Sequence, residues 1–111
     1  MLDRIVALDP GVSARAERHL TEMSGCFPQM YLIECIAQLG GIAAIQGEGE
    51  GGFLASIKSA EFGEAPCAGD VLSISARITT SFGRLFLLKG EVECEGRMLV
   101  RVQLALGVGK L

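Results

Sequence analysis

Residues 26–41 read CFPQMYLIECIAQLGG, and this stretch decides the fold because a helix start is followed at once by a dense apolar run. Pro28 suits the first turn of a helix, where its missing N–H would have had no helical partner. Apolar side chains then fall on all sides of the helical wheel as far as Ile45. The pattern predicts a long helix over residues 28–45 that is buried on nearly every side.

The segments on either side of this helix are typical of strands. Residues 2–8 and 12–21 predict two strands joined by the turn Asp9-Pro10-Gly11. Residues 47–52 are polar and glycine-rich, which predicts a mobile loop. Four further strands are predicted, with a tight hairpin at Glu95-Gly96, at residues 53–62, 71–79, 85–94 and 98–107. The order predicts one α+β domain over residues 1–111, with a long central helix wrapped by a curved antiparallel sheet of about six strands.

The composition narrows the possible partners. Half of the 111 residues are hydrophobic and 21% are charged, more apolar surface than a small monomer usually buries, so we expect a homodimer or a higher oligomer. The net charge of −3 and the scattered basic residues argue against nucleic acid as a partner. No apolar run reaches the ~18 residues of a membrane span, and the first residues do not resemble a secretion signal. We therefore expect a cytoplasmic protein without a membrane partner.

The cysteines and the single histidine do not form a recognisable ligand set. The four cysteines are widely spaced with no CxxC pair, which predicts reduced and mostly buried thiols. Cys26 precedes the helix start, where a reactive thiolate is conceivable, but a buried apolar role is the favoured interpretation. His19 falls on the polar face of its predicted strand, which favours a solvated residue over a general base. No metal site and no cofactor are predicted.

Four segments spread over nearly the whole chain resemble motifs of one family in the right order. They are LDRIVALDPG at 2–11, YLIECIAQLGG at 31–41, FLASIKSAEF at 53–62 and PCAGDVLSI at 66–74. Together they resemble the 3-hydroxyacyl-acyl-carrier-protein dehydratases of the FabZ/FabA type. The resemblance implies the hotdog fold and an acyl substrate carried as a thioester on acyl carrier protein or coenzyme A. It also makes Asp70 the family's structural turn aspartate.

Two departures from the family bear on catalysis. The segment EMSGCFPQ at 22–29 stands where the family carries its catalytic histidine, and it is about ten residues shorter by motif matching. Gln29 stands at the family's helix-opening glycine, whose backbone N–H faces the thioester carbonyl. In the family a histidine removes the C2 proton, and a carboxylic acid on the helix of the facing subunit protonates the leaving hydroxyl. By this resemblance the chain keeps the acid and lacks the base.

The resemblance assigns the acid to Glu34, which the apolar pattern predicts to be buried at considerable cost unless it is paired. Gln38 lies one helical turn on and shares its face. One interpretation is that Glu34 transfers protons at a thioester while Gln38 orients it. The other is that the two side chains satisfy each other or a partner subunit. The predicted acyl and thioester contacts are Phe27, Gln29, Met30, Phe53, Phe82 and Phe86.

Three functions remain open at this stage. The first is a dehydratase-like protein that is weakly active or depends on a histidine-bearing paralogous subunit. The second is a thioesterase, in which Glu34 activates water and backbone N–H groups near Gln29 and Met30 hold the oxyanion. The third is a module that binds acyl carrier protein or an acyl thioester without catalysis.

Overall fold

The computed structural model describes residues 4–19, 29–44, 50–64 and 69–110. Six strands and one helix follow one another as β1 (Arg4–Asp9), β2 (Ser13–His19), α1 (Gln29–Ala44), β3 (Glu50–Phe62), β4 (Val71–Phe82), β5 (Leu85–Cys94) and β6 (Arg97–Lys110). The strands form one antiparallel sheet in the order β1-β2-β4-β5-β6-β3. This confirms the predicted α+β class with one helix and six strands.

The core lies between α1 and one face of the sheet. The apolar residues of β4 alternate in the sequence, which predicts that Leu72, Ile74, Ala76 and Ile78 point inward. This is confirmed, because the first three are buried and Ile78 is partly buried against the same core. The alternation of apolar residues on β6 predicts one inward row from Met98 to Leu106, and its members from Val100 to Leu106 are buried. The helix contributes its largest fully buried side chains to the same cluster, namely Leu32, Ile33, Ile36 and Leu39. This packing accounts for the apolar character of the helix on the side that faces the sheet.

The helix departs from the prediction in length and in burial. It is short, with 16 residues, because the chain is already in strand β3 at Glu50 and must leave the helix before that point. It is also not buried all round, since Glu34, Gln38 and Ile42 are exposed. These residues are spaced by four, so they form one stripe on the side that faces away from the sheet. The expectation of a buried Glu34 is therefore wrong for the single chain.

The turns between the strands contain glycines with positive φ. The hairpin at Glu95-Gly96 is confirmed, and both residues have positive φ, 52° and 78°, as a type I′ turn requires. The turn between β4 and β5 lies at 83–84, so residues 81 and 82 extend the strand beyond the predicted boundary. In the first turn the Val12 N–H donates to the Asp9 carbonyl at 2.9 Å. The alternation in the sequence predicts Val12 on the same face as Ala14 and Ala16, but Val12 is exposed in this turn whereas those two residues are buried.

Strand β3 begins inside the segment that was predicted to be a loop. Residues 50–52 are already in the strand, whereas 47–49 lie outside the described residues. A Cβ on Gly52 would stand 3.3 Å from the Cα of Gly41, so the strand passes very close to the helix. Glycine at both positions permits this approach, which explains why a glycine-rich stretch can be part of a strand here. In the described part of the chain no helix is long and apolar enough to cross a membrane.

Candidate functional site

A cleft of about 290 Å³ opens between α1 and the start of β3. Glu34 and Gln38 line it from the exposed stripe of the helix, and Gly52, Phe53 and Leu54 line it from the strand. Ala37 and Leu106 complete the lining. Two features produce the cleft. The side chains of Glu34 and Gln38 point away from the sheet, and Gly41 and Gly52 allow the start of β3 to lie close to the helix. Two polar side chains thus lie beside walls that are otherwise apolar.

The structure brings three of the predicted site residues together, namely Glu34, Gln38 and Phe53. The ring of Phe53 lies over β6 at Gly107, in the space that a Cβ on Gly107 would occupy. Its neighbours Gly52 and Leu54 face the helix, so by alternation the ring of Phe53 lies on the outer face of the sheet, where the residue is 60% exposed. The absence of a side chain at Gly107 therefore sets the position of this ring on the outer face, whereas the apolar wall next to Glu34 is formed by Leu54 and Leu106.

The other predicted contacts lie elsewhere or cannot be placed. Phe86 is partly buried and packs against the core, and Phe82 is 69% exposed at the end of β4. Neither lines the cleft. Gln29 and Met30 open α1, as the oxyanion hypothesis requires, while Phe27 lies outside the described residues. An acyl contact of these residues stays a prediction.

His19 lies on the opposite face of the sheet from the cleft. Along β2 the buried Ala14 and Ala16 face the helix, so by alternation His19 faces the outer side, where it is exposed. Its neighbour across the ladder is Val71 of β4. The side chain therefore cannot act within this chain as the base that complements Glu34, in agreement with its phase in the sequence.

Arg18 is a residue of the helix–sheet interior that sequence reasoning missed. It occupies the inward phase of β2, and its guanidinium carbon lies 5.6 Å from the ring centroid of Tyr31 in the first turns of α1. A cation over an aromatic face at this distance is an attractive contact. The signal was present in the sequence, because Arg18 continues the apolar alternation of Ala14 and Ala16. It places a positive charge on the helix side of the sheet, close to the start of α1.

Cys35, next to Glu34 on α1, is a buried thiol whose pKa depends on burial and on two nearby charges. Burial raises the pKa of this thiol, while the nearby charge of Arg18 lowers it and that of Glu34 raises it. Cys35 and Cys94 are both buried and unbridged, as predicted. Cys26 and Cys67 lie outside the described residues. Cys35 is therefore a neutral core thiol that lies beside the site and is not a nucleophile.

The fold and the cleft together define a class of protein. A single helix packed on a six-stranded antiparallel sheet in this strand order is the hotdog architecture, and solved structures match it over almost the whole chain. The dehydratase heterocomplex ApeI:P from Xenorhabdus doucetiae superposes with a TM-score of 0.80 at 16% identity, covering 98% of this chain and 82% of that one. A hypothetical thioesterase protein with coenzyme A from Streptococcus pneumoniae TIGR4 gives 0.78 at 16% identity, covering 96% and 88%.

Comparison of the sequence with known proteins shows which hotdog proteins this chain is similar to. No protein-family model matches the chain. The 3-hydroxyacyl-[acyl-carrier-protein] dehydratase FabZ of Clostridium botulinum (strain Loch Maree / Type A3) is 27% identical over 123 aligned positions, which span 99% of this chain and 85% of the relative. The alignment is longer than the 111 residues of the chain, so the relative carries residues that are missing here. The chain thus has the hotdog fold and is similar to FabZ over nearly its whole length.

Proposed function

We propose that this protein binds an acyl group carried as a thioester in the cleft between α1 and β3, and that Glu34 transfers protons there. The observation that carries the proposal is the placement of Glu34 and Gln38, one turn apart, beside the apolar wall formed by Leu54 and Leu106. A carboxyl group next to an apolar channel can meet the polar end of an acyl thioester while the chain contacts the walls. The carrier is either acyl carrier protein or coenzyme A.

The cleft is open in the single chain, and a second copy completes it in our proposal. β3 is an edge strand of the sheet, and Phe53, Leu54 and Ile57 expose apolar surface along it. An exposed, largely apolar edge strand favours pairing with another strand. A second copy whose β3 pairs with this one extends the sheet and covers the stripe of Glu34, Gln38 and Ile42. It removes water from Glu34, which strengthens interactions of that group with a substrate.

The chemistry that Glu34 supports is one half of a dehydration. As a carboxylic acid, it donates its proton to the 3-hydroxyl group as the C3–O bond breaks, and water leaves. The C2 proton must go to a base, and the single His19 lies on the other face of the sheet. Each general acid or base step is worth roughly 10²–10⁴-fold in rate. We therefore propose that full dehydratase activity needs a histidine from a paralogous subunit.

A second candidate function is thioester hydrolysis. It is favoured by the exposure of Glu34 to solvent in the single chain, because a carboxylate must have access to water in order to activate it. The first N–H groups of α1, which begins at Gln29, have no partners within the helix and can stabilise an oxyanion. In this reaction the thioester and one water molecule are converted into a free carboxylic acid and a thiol. A non-catalytic role in acyl binding is what remains if neither reaction is seen.

One set of measurements separates these functions. The pure protein is incubated with 3-hydroxyacyl and saturated acyl thioesters of acyl carrier protein and of coenzyme A, and enoyl formation and thiol release are both followed. The dehydratase assay is repeated after addition of a histidine-bearing FabZ subunit. Enoyl formation that rises only with the mixture supports the heteromer, and thiol release by the protein alone supports the thioesterase.

Two further results bear on the site itself. A His19→Ala variant is expected to keep any activity within a few fold, because this side chain lies on the outer face. Acyl thioester binding without turnover leaves the binding function standing. If the protein neither binds nor converts any of these thioesters, the proposed function is wrong.

A further inference from the structure

A second concave site lies on the outer face of the sheet, the side opposite α1. It is a groove of about 450 Å³ that crosses β2, β4, β5 and β6. Its floor follows one row of the ladder, Ala14–Ala76–Gly90–Val102, whose side-chain positions face the core. Backbone atoms are therefore exposed between two rows of longer side chains. These flanking rows are Ser13–Arg77–Lys89–Gln103 and Arg15–Ser75–Glu91–Arg101.

The groove concentrates positive charge on a protein that is acidic as a whole. Its lining carries four cationic side chains and one carboxylate, whereas the chain has a net charge of −3. Arg77 and Lys89 stand directly opposite each other on β4 and β5. Like charges in directly paired cross-strand positions destabilise a sheet. An anion between them would remove this repulsion.

Ion pairs within the chain neutralise only one side of the groove. Arg101 lies 3.6 Å from Glu91 and 4.0 Å from Glu61, so its charge is shared with two carboxylates. For Arg15, Arg77 and Lys89 the described part of the chain shows no ion pair, and all three side chains are exposed. Three cations without an ion pair among the described residues thus line the groove together with Ser13 and Ser75.

We propose that this groove binds a small phosphate-bearing anion, which is held by Arg15, Arg77 and Lys89 and hydrogen-bonded by Ser13, Ser75 and Gln103. Its volume is within the roughly 300–1,000 Å³ that is typical of small-molecule sites. Arginine and lysine are the side chains that proteins use for phosphate, arginine through its two-pronged geometry and lysine as a point charge.

Two other classes of ligand fit less well. Among the described residues that line the groove none is aromatic, so it offers nothing on which a nucleobase could stack. The same residues include no large apolar anchor of the kind that carries most of the affinity in protein interfaces. The groove and the cleft at Glu34 lie on opposite faces of the sheet, so this inference is independent of the proposed thioester function.

The test is a calorimetric titration at low ionic strength with three probes: inorganic phosphate, pyrophosphate and glycerol 3-phosphate. Arg77→Gln and Lys89→Gln are compared with the matched control Lys58→Gln, which removes one charge from β3 outside the groove lining. We expect saturable binding that weakens by about tenfold or more in each groove variant, the loss of one charge-assisted contact. Lys58→Gln should bind as the unaltered protein does, and added salt should weaken binding.

The probes also distinguish the source of the phosphate group. Tighter binding of glycerol 3-phosphate identifies a phosphomonoester ligand, and tighter binding of an inorganic probe identifies free phosphate or pyrophosphate. The proposal is overturned by the absence of saturable binding at ~10 mM probe, by equal affinities in the groove variants and the unaltered protein, or by an equal loss in Lys58→Gln. Polyglutamate is titrated as a fourth ligand at the same concentration of negative charge. Tighter binding of polyglutamate than of pyrophosphate would also overturn the proposal and would indicate an acidic protein partner.

Discussion

At the scale of single residues, an apolar helix can contain Glu34 because this side chain is exposed to solvent in the single chain. Its neighbours Ile33 and Cys35 are buried, but Glu34 itself is exposed beside Gln38. The chain alone therefore does not bear the cost of a buried carboxylate. A cost arises only when a partner or a substrate covers the cleft, and at that point the carboxyl group is available for chemistry.

The Glu34→Gln variant tests this role. Glutamine preserves the shape and the hydrogen bonding of the side chain but can neither donate nor accept a proton as the acid does. We expect any dehydratase or thioesterase turnover to fall by roughly 10²–10⁴-fold, with an unchanged melting profile and unchanged acyl binding. Glu93→Gln, on an exposed position of β5, is the matched control and should remain active. Full turnover in a folded Glu34→Gln protein would place the chemistry elsewhere.

Cys35 provides a pH-dependent prediction. Burial raises the pKa of its thiol above the ordinary value of 9.0, so the folded protein holds this proton more tightly than the unfolded chain does. The corresponding stability is complete below pH 9.0 and is lost as the pH rises further. Cys35 should therefore resist alkylation in the folded protein at about pH 8, where the raised pKa keeps the thiol protonated, and react after urea is added. Mass mapping of the labelled peptide will show the difference.

A second measurement isolates the contribution of this thiol. The free energy of unfolding of the unaltered protein should decline more steeply above pH 9.0 than that of Cys35→Ala, because the variant has no thiol at this position to titrate. Parallel slopes in the two proteins, or rapid alkylation of Cys35 in the folded state, would contradict the prediction.

At the scale of the elements, features that depend on neighbouring residues were predicted well. Features that depend on contacts between distant parts of the chain were not. The Glu95-Gly96 hairpin and the phase of β4 depend on neighbouring residues, and both are confirmed. The burial of α1 depends on which faces other elements cover, and here the prediction was wrong for one stripe. The start of β3 was also missed, because glycines at 51 and 52 indicate a loop unless the close approach to Gly41 is known.

The packing of α1 on β5 gives an element-scale prediction. A Cβ on Gly90 would collide with Ile36 of the helix, whose branched side chain has little freedom to move. Gly90→Ala should therefore destabilise the protein by about 1–3 kcal/mol in urea unfolding. Gly109→Ala on β6 is the matched control, since in the described part of the chain nothing beyond its own neighbours lies within 4 Å of the place its methyl group would take. Equal stability of the two variants would show that the helix moves away without cost.

At the scale of the whole molecule, the candidate site was only partly accessible to sequence reasoning. The position of Glu34 and Gln38 on one face of the helix follows from helical spacing and was predicted. The wall at Gly52 and Leu54 arises from residues distant in sequence, and only the motif resemblance brought Phe53 into the prediction. Arg18 was missed because a charged residue in an apolar phase was not weighed against its aromatic neighbour on the helix.

The full-circle apolarity of the helix makes sense at this scale if a second copy covers what the sheet does not. The exposed stripe includes Ile42, which is 38% exposed, and it adjoins the apolar edge at Leu54 and Ile57. A sequence pattern reports burial in the final assembly, whereas one chain provides only part of that burial. The discrepancy between the predicted and the observed helix is therefore an argument for a partner.

The last prediction follows from this argument and concerns β3. Light scattering should give a mass of at least twice the 11.7 kDa of the chain if two copies pair along this edge, as we propose. Ile57→Asp should shift the protein to a monomer, since it places a charge on apolar surface that the second copy covers. Val71→Asp is the matched control, with 46% exposure against 39% for Ile57, and it lies on β4 away from this edge. A monomeric unaltered protein, or equal dissociation of both variants, would rule out pairing through β3 and leave the cleft at Glu34 open to solvent.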